Sequence, residues 1–207
     1  MIHADMKGKT HVPEDVLTSN CIGLLSLLPD NILIEFFSIS VDLKGQNINL
    51  SKYDEIEKIE FWSWLDNAGE PDILCILKNK TDNHRLVLII EVKHGSGKSG
   101  YAQTEIINSD EETFSTDQLA KYWQAARKQY NHANIDVALI YLTHHRNFPK
   151  QDIEDSLKET TNSGLIYWLS WFHLYEFVVD KLKVNLSKIE ANIFKLLKIY
   201  LKNKGYQ

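Results

Sequence analysis

Asp72, Glu91 and Lys93 are the residues of this chain whose types and spacing best suit chemistry. Two carboxylates and an ammonium group can hold a hard divalent cation beside a water molecule. Mg2+ and Mn2+ prefer carboxylate and carbonyl oxygen. Such an ion polarises a phosphate, lowers the pKa of its water and stabilises a leaving oxygen, which is the chemistry of phosphodiester hydrolysis. Without an ion the grouping is costly, because neighbouring carboxylates repel and buried charge has to be paired or coordinated. The plainer reading is a surface salt bridge at a hairpin end. P-D and E-x-K are each common by chance, so the weight lies in their order and in what separates them.

What separates them is a hairpin. Ile73 to Leu77 is a short apolar run, Lys78 to Asn83 a polar turn, and Leu86 to Ile90 a strongly apolar run. Two such runs about a polar turn predict paired strands. Pairing about residues 79–82 sets Asp72, before the first strand, beside Glu91, at the end of the second. Residues two apart on a strand share a face, so Lys93 joins Glu91 there.

Pro71-Asp72 followed by Glu91-Val92-Lys93 at the end of an apolar strand resembles the signature of the PD-(D/E)XK nuclease superfamily, the restriction-endonuclease-like fold. The resemblance implies an α/β chain with an αβββαβ core, a central mixed sheet flanked by helices. That core would span about residues 12–175 of a single domain, with a helical C-terminal extension over about 176–207. It implies a Mg2+ or Mn2+ cofactor held by Asp72 and Glu91, with the Val92 carbonyl as a third ligand and Lys93 orienting or activating water. Members often draw a helper acid from the first core helix. Glu14 takes that place here and Glu35 is a weaker candidate. The plainer reading of Glu14 is a first-turn acid favoured by the helix dipole. Members also often carry a glutamine four residues before an aromatic on the helix after the E-x-K strand. Gln118 and Tyr122 match, and Gln118 could orient water or bind phosphate. Its plainer reading is a capping box with Ser115.

The implied activity is metal-dependent nuclease activity, with DNA the favoured nucleic acid. Restriction or anti-phage defence, as a homodimer or as the partner subunit of a defence system, follows only by analogy. The competing class is a catalytically silent, nuclease-like subunit that binds nucleic acid or a protein partner.

Composition sets the frame. The chain has 207 residues, 43% hydrophobic and 25% charged, as expected of one soluble globular domain. A net charge of −5 gives no global basic field, which leaves only local patches for nucleic acid. Cys21 and Cys75 lie in apolar segments and read as reduced core thiols of a cytoplasmic protein. There is no apolar leader and no run of about 18 apolar residues, which predicts neither a signal peptide nor a membrane partner. Gly97-Lys98-Ser99 resembles the end of a phosphate-binding loop, but that motif needs glycine where Val92 stands, so an NTPase is rejected. Lys98 and Ser99 could still contact a nucleic-acid backbone, as could Lys121; otherwise they are solvated. Residues 104–114 read as an acidic insertion.

The remaining elements follow from periodicity. Helices are predicted from Pro13 to Leu28, from Ile32 to Ile39 behind an Asp30-Asn31 cap, and from Thr116 to Tyr130. Ile56 to Leu65 reads as a strand with Trp62 and Trp64 packing on one face. Ile135 to Leu142 reads as a buried strand parallel to that of Glu91. His144 and His145 read as a strand-end loop, since adjacent strand residues diverge and no matching ligand set accompanies them. A helix from Pro149 to Thr160, a strand from Leu165 to Trp171 and helices over 172–182 and 186–203 complete the chain. In the last, Ile189, Ile193, Leu196, Leu197 and Tyr200 are expected to face inward.

Overall fold

The computed structural model describes residues 6–9, 13–94, 115–160 and 165–207. Lys98, Ser99 and the acidic stretch 104–114 lie outside the described residues. The most apolar run, β3 (Arg85–Lys93), has to be central because both of its faces are apolar. Leu86, Leu88, Ile90 and Val92 enter one layer of the core, while Val87 and Ile89 enter the other. β2 (Ile73–Lys78) pairs with it antiparallel, and β4 (Ile135–Thr143) pairs with it parallel. β1 (Glu55–Phe61) and β5 (Ile166–Ser170) complete a five-stranded mixed sheet of order β1-β2-β3-β4-β5. The charges of edge strand β1 at Glu55, Glu57, Lys58 and Glu60 discourage further pairing there.

Helices cover both faces, as expected for the α/β class. One layer holds α1 (Pro13–Leu25), α2 (Asp30–Ser38), α5 (Trp171–Lys181) and α6 (Lys188–Asn203). The other holds α3 (Gln118–Gln129) and α4 (Lys150–Glu159). Cys21 and Cys75 are buried free thiols. Among the described residues, no helix is long and apolar enough to cross a membrane. Two registers position the site. Ile73 pairs with Ile90, so the next pair outward is Asp72 with Glu91. Glu91 in turn pairs with Tyr141 and Lys93 with Thr143.

Several local expectations are corrected. β1 stops at Phe61 because Trp62 adopts φ 51°, in the left-handed region. That conformation costs a residue bearing a Cβ about 1–2 kcal/mol. Alternation ends with it: Trp62 is 2% exposed and Trp64 63%, so the two do not share a face. α3 is capped by Asp117, whose carboxylate accepts the Ala120 N–H at 3.0 Å. Ser115 instead accepts the Asp117 N–H at 2.9 Å, so there is no Ser115–Gln118 box. Asp30 lies inside α2 rather than capping it, and its carboxylate accepts the Ile56 N–H at 2.9 Å. β5 ends at Ser170, which forms a reciprocal cap with His173 and turns Trp171 into the start of α5.

On α6 the inward stripe is Phe194, Leu197 and Leu201, while Ile189 and Leu196 are exposed. Apolar residues occupy so much of this helix that its sequence leaves the buried stripe ambiguous. Phe194→Ala should therefore destabilise the fold by about 3–5 kcal/mol. Leu196→Ala should change stability by no more than about 0.5 kcal/mol. Urea unfolding measures both, and the reverse order would contradict the burial assignment.

Candidate active site

The β2–β3 register delivers Asp72 and Glu91 to one buried corner at the C-terminal end of β3. The backbone holds Asp72: its Oδ2 accepts the Val92 N–H at 2.7 Å, and its Oδ1 accepts the Trp62 indole N–H at 3.2 Å. Glu91 lies across from it, near enough for each carboxyl to act on the ionisation of the other. Lys93 folds back along its own strand, and its Nζ donates to Glu91 Oε1 at 2.6 Å. Asp72, Glu91 and Lys93 are all buried. Glu91 Oε2 is also buried and finds no donor among the described residues.

Glu14 reaches the same corner from the first turn of α1. Its Oε2 accepts the His94 N–H at 2.6 Å, and its Oε1 lies 3.9 Å from Lys93 Nζ. Glu35 does not join it, being paired with Lys181 on α5. Gln118, the first residue of α3, donates to the Tyr122 hydroxyl at 3.2 Å, and Tyr122 donates to the Glu70 carbonyl at 3.0 Å. The Gln118–Tyr122 pair thus fastens α3 to the segment that leads into Asp72. Lys121 is half-buried on the same helix. Val92 sends its side chain into the core and its N–H to Asp72.

Three contributors were not anticipated. Asp15, buried beside Glu14, adds a further carboxyl that acts electrostatically on Asp72. Its signal was the acidic pair opening α1. Trp62 carries a hydrogen bond as well as packing area. His144, beyond the end of β4, bonds to the backbone of Lys93 and steadies the strand end. Nothing in the sequence connects the last two to Asp72 or Lys93 without the sheet.

Burial dominates the electrostatics. It pushes the Glu91 carboxyl well above the usual range, and the neighbouring Asp72 pushes it further. Burial also raises Asp72, although the Val92 N–H and Lys93 pull the other way. Glu14 and Asp15 are raised by burial as well. For Lys93 burial works against the ammonium, yet Glu91 more than offsets it and keeps the group charged. Both carboxyls therefore hold a proton more readily in the folded chain than in solvent.

A hard divalent ion would suit this corner. The donors are oxygens, Glu91 Oε2 accepts no hydrogen bond among the described residues, and the buried acids Asp15, Asp72 and Glu91 outnumber Lys93 here. Among the described residues, no three His, Cys, Asp or Glu side chains gather into a metal cage. The donors for an ion would thus be the two carboxylates, with the Val92 carbonyl expected only from the resemblance and other positions left to water and substrate.

These shifts have a consequence for stability. Asp72 and Glu91 hold protons more tightly folded than unfolded, so their contribution in the metal-free protein falls as pH rises above the ordinary carboxylate value of about 4. Glu91→Gln removes one of these groups and also the carboxylate partner of Lys93, which sets a constant offset. On top of that offset, the melting temperature of the variant relative to wild type should rise from about pH 4 to about pH 8. Thermal melts without metal check this, and a difference that stays constant or falls over that range contradicts it. Compared with known proteins, the chain matches no family model, no curated protein and no solved structure.

Proposed function

We propose that this protein is a divalent-metal-dependent nuclease that hydrolyses phosphodiester bonds, with DNA as the favoured substrate. The observation that carries the reading is the meeting of buried Asp72 and Glu91 with the Lys93 ammonium 2.6 Å from Glu91. A salt bridge alone would need one acid; a second carboxyl buried beside it is what a divalent cation would use. The order of elements gives further support. Two helices, three antiparallel strands, a helix and a parallel strand follow in an order compatible with the αβββαβ core that the resemblance implies. On this reading the chain is a PD-(D/E)XK nuclease.

When bound, Mg2+ or Mn2+ supplies Lewis-acid polarisation of the phosphate and a more acidic water. The chain supplies the rest. Asp72 and Glu91 present oxygens whose orientation is fixed by N–H donors and by Lys93. Lys93 stays protonated, so its role is to hold water and offset phosphate charge. Glu14 anchors the His94 amide and keeps the strand end and Lys93 in place. Gln118 and Tyr122 secure the approach from α3. Lys121, with Lys98 and Ser99, would contact the nucleic-acid backbone.

Titration of Mg2+ or Mn2+ with plasmid and single-stranded DNA tests the proposal. Wild type should cleave only with metal. Asp72→Ala and Lys93→Ala should lower the rate by about 100-fold or more while the circular dichroism spectrum is kept. A folded variant that cuts at the wild-type rate refutes the assignment. Tight DNA binding by wild type without cleavage would favour the silent binding module.

A further inference from the structure

We infer that Trp62 is a positioning residue of this site, whose indole N–H fixes the Asp72 carboxylate in the orientation that ion binding requires. The inference rests on the metal-site reading and extends it to a residue outside the signature.

Trp62 is tied to Asp72 twice. Its indole Nε1 lies 3.2 Å from Asp72 Oδ1, with both side chains buried. Its backbone N–H donates to the Asp72 carbonyl at 2.9 Å, one rung beyond the Phe61–Ile73 pair that ends the β1–β2 ladder. These bonds hold Trp62 at φ 51°, a conformation that bulky residues seldom adopt and that persists only where the surroundings over-determine it. Glycine or asparagine would take this turn at lower cost. A tryptophan there must supply what they lack.

Packing alone does not account for it. Trp62 lies in the helical layer of the core, 5.7 Å from the Phe61 ring between centroids, and a phenylalanine would fill much of that space. Packing does not require an N–H, which when buried needs a partner. Here the partner is the proposed metal ligand. Val92 N–H holds one oxygen of Asp72 and Trp62 holds the other, so the carboxylate is pinned at both ends where it meets Glu91. The indole also lowers the Asp15 carboxyl, so Trp62 acts on two of the buried acids. Lys9 covers the outer side, 5.5 Å from the ring centroid and 3.1 Å from Glu70. Donors that orient metal ligands typically alter metal affinity by about 10–100-fold when removed.

Fluorine NMR of protein labelled with 5-fluorotryptophan tests this. The chain has five tryptophans, and the resonance missing from Trp62→Phe identifies Trp62. Mg2+ is titrated into wild type, with calorimetry in parallel. The Trp62 resonance should shift with the same midpoint as the heat of binding, and Trp62→Phe should bind Mg2+ about tenfold more weakly or worse while remaining folded. If Trp62→Phe does not fold, the wild-type titration decides, with the resonance assigned through single replacements of the other four tryptophans. A Trp62 resonance that stays fixed while calorimetry shows saturation overturns the inference. So does a folded Trp62→Phe with wild-type affinity. If wild type takes up no Mg2+ at all, the metal-site reading itself falls, and the inference falls with it.

Discussion

Two like-charged groups buried against each other are a standing cost, and the surroundings of the corner formed by Asp72 and Glu91 offset it. Burial raises both carboxyls, and the Lys93 ammonium, 2.6 Å from Glu91 Oε1, pulls the other way. The Val92 N–H and the Trp62 indole hold both oxygens of Asp72. Each of these groups depends on a different part of the chain. The hairpin register sets the acids opposite each other, the end of β1 turns the indole inward, and the first turn of α1 brings Glu14 to the strand end. A one-residue slip of β3 would reverse every one of its side chains and dissolve the corner.

The parts of the site carried by local pattern were legible in the sequence. Asp72 and Glu91 meet because Ile73 pairs with Ile90, and that register follows from two apolar runs about a polar turn. Lys93 follows from strand periodicity alone. Glu14 reads in sequence as either a dipole acid or a helper, and neither reading announces its bond to the His94 N–H, a contact across 80 positions of sequence. Alternation through Trp62 predicts packing, which its burial bears out, but not the hydrogen bond of its indole. The left-handed turn that ends β1 is a tertiary compromise, without a glycine or proline to announce it. On α6 the expected face holds at Ile193, Leu197 and Tyr200 and fails at Ile189 and Leu196, for a related reason. With apolar residues on most sides of a helix, only the partner surface selects which three are buried.

The strand end is also braced from beyond the core motif. The His94 ring meets the Tyr206 hydroxyl at 2.5 Å, and Tyr206 packs against Phe172 with centroids 5.1 Å apart. His144 bonds to the backbone of Lys93 from the end of β4. Tyr206, beyond the end of α6, therefore holds the ring of the residue whose amide Glu14 accepts. This arrangement suits a site whose acids have to stay close together before any cation arrives, since preorganised ligands spare the reorganisation that binding would otherwise demand.

The central claim is that Asp72 and Glu91 are gathered to hold a divalent ion beside Lys93. A crystal structure of the wild-type protein soaked in Mn2+, with data collected at the manganese edge, tests it most directly. The account predicts an anomalous peak bridging Asp72 and Glu91, close to the Val92 carbonyl. Saturating Mn2+ that leaves this corner without a peak would contradict it.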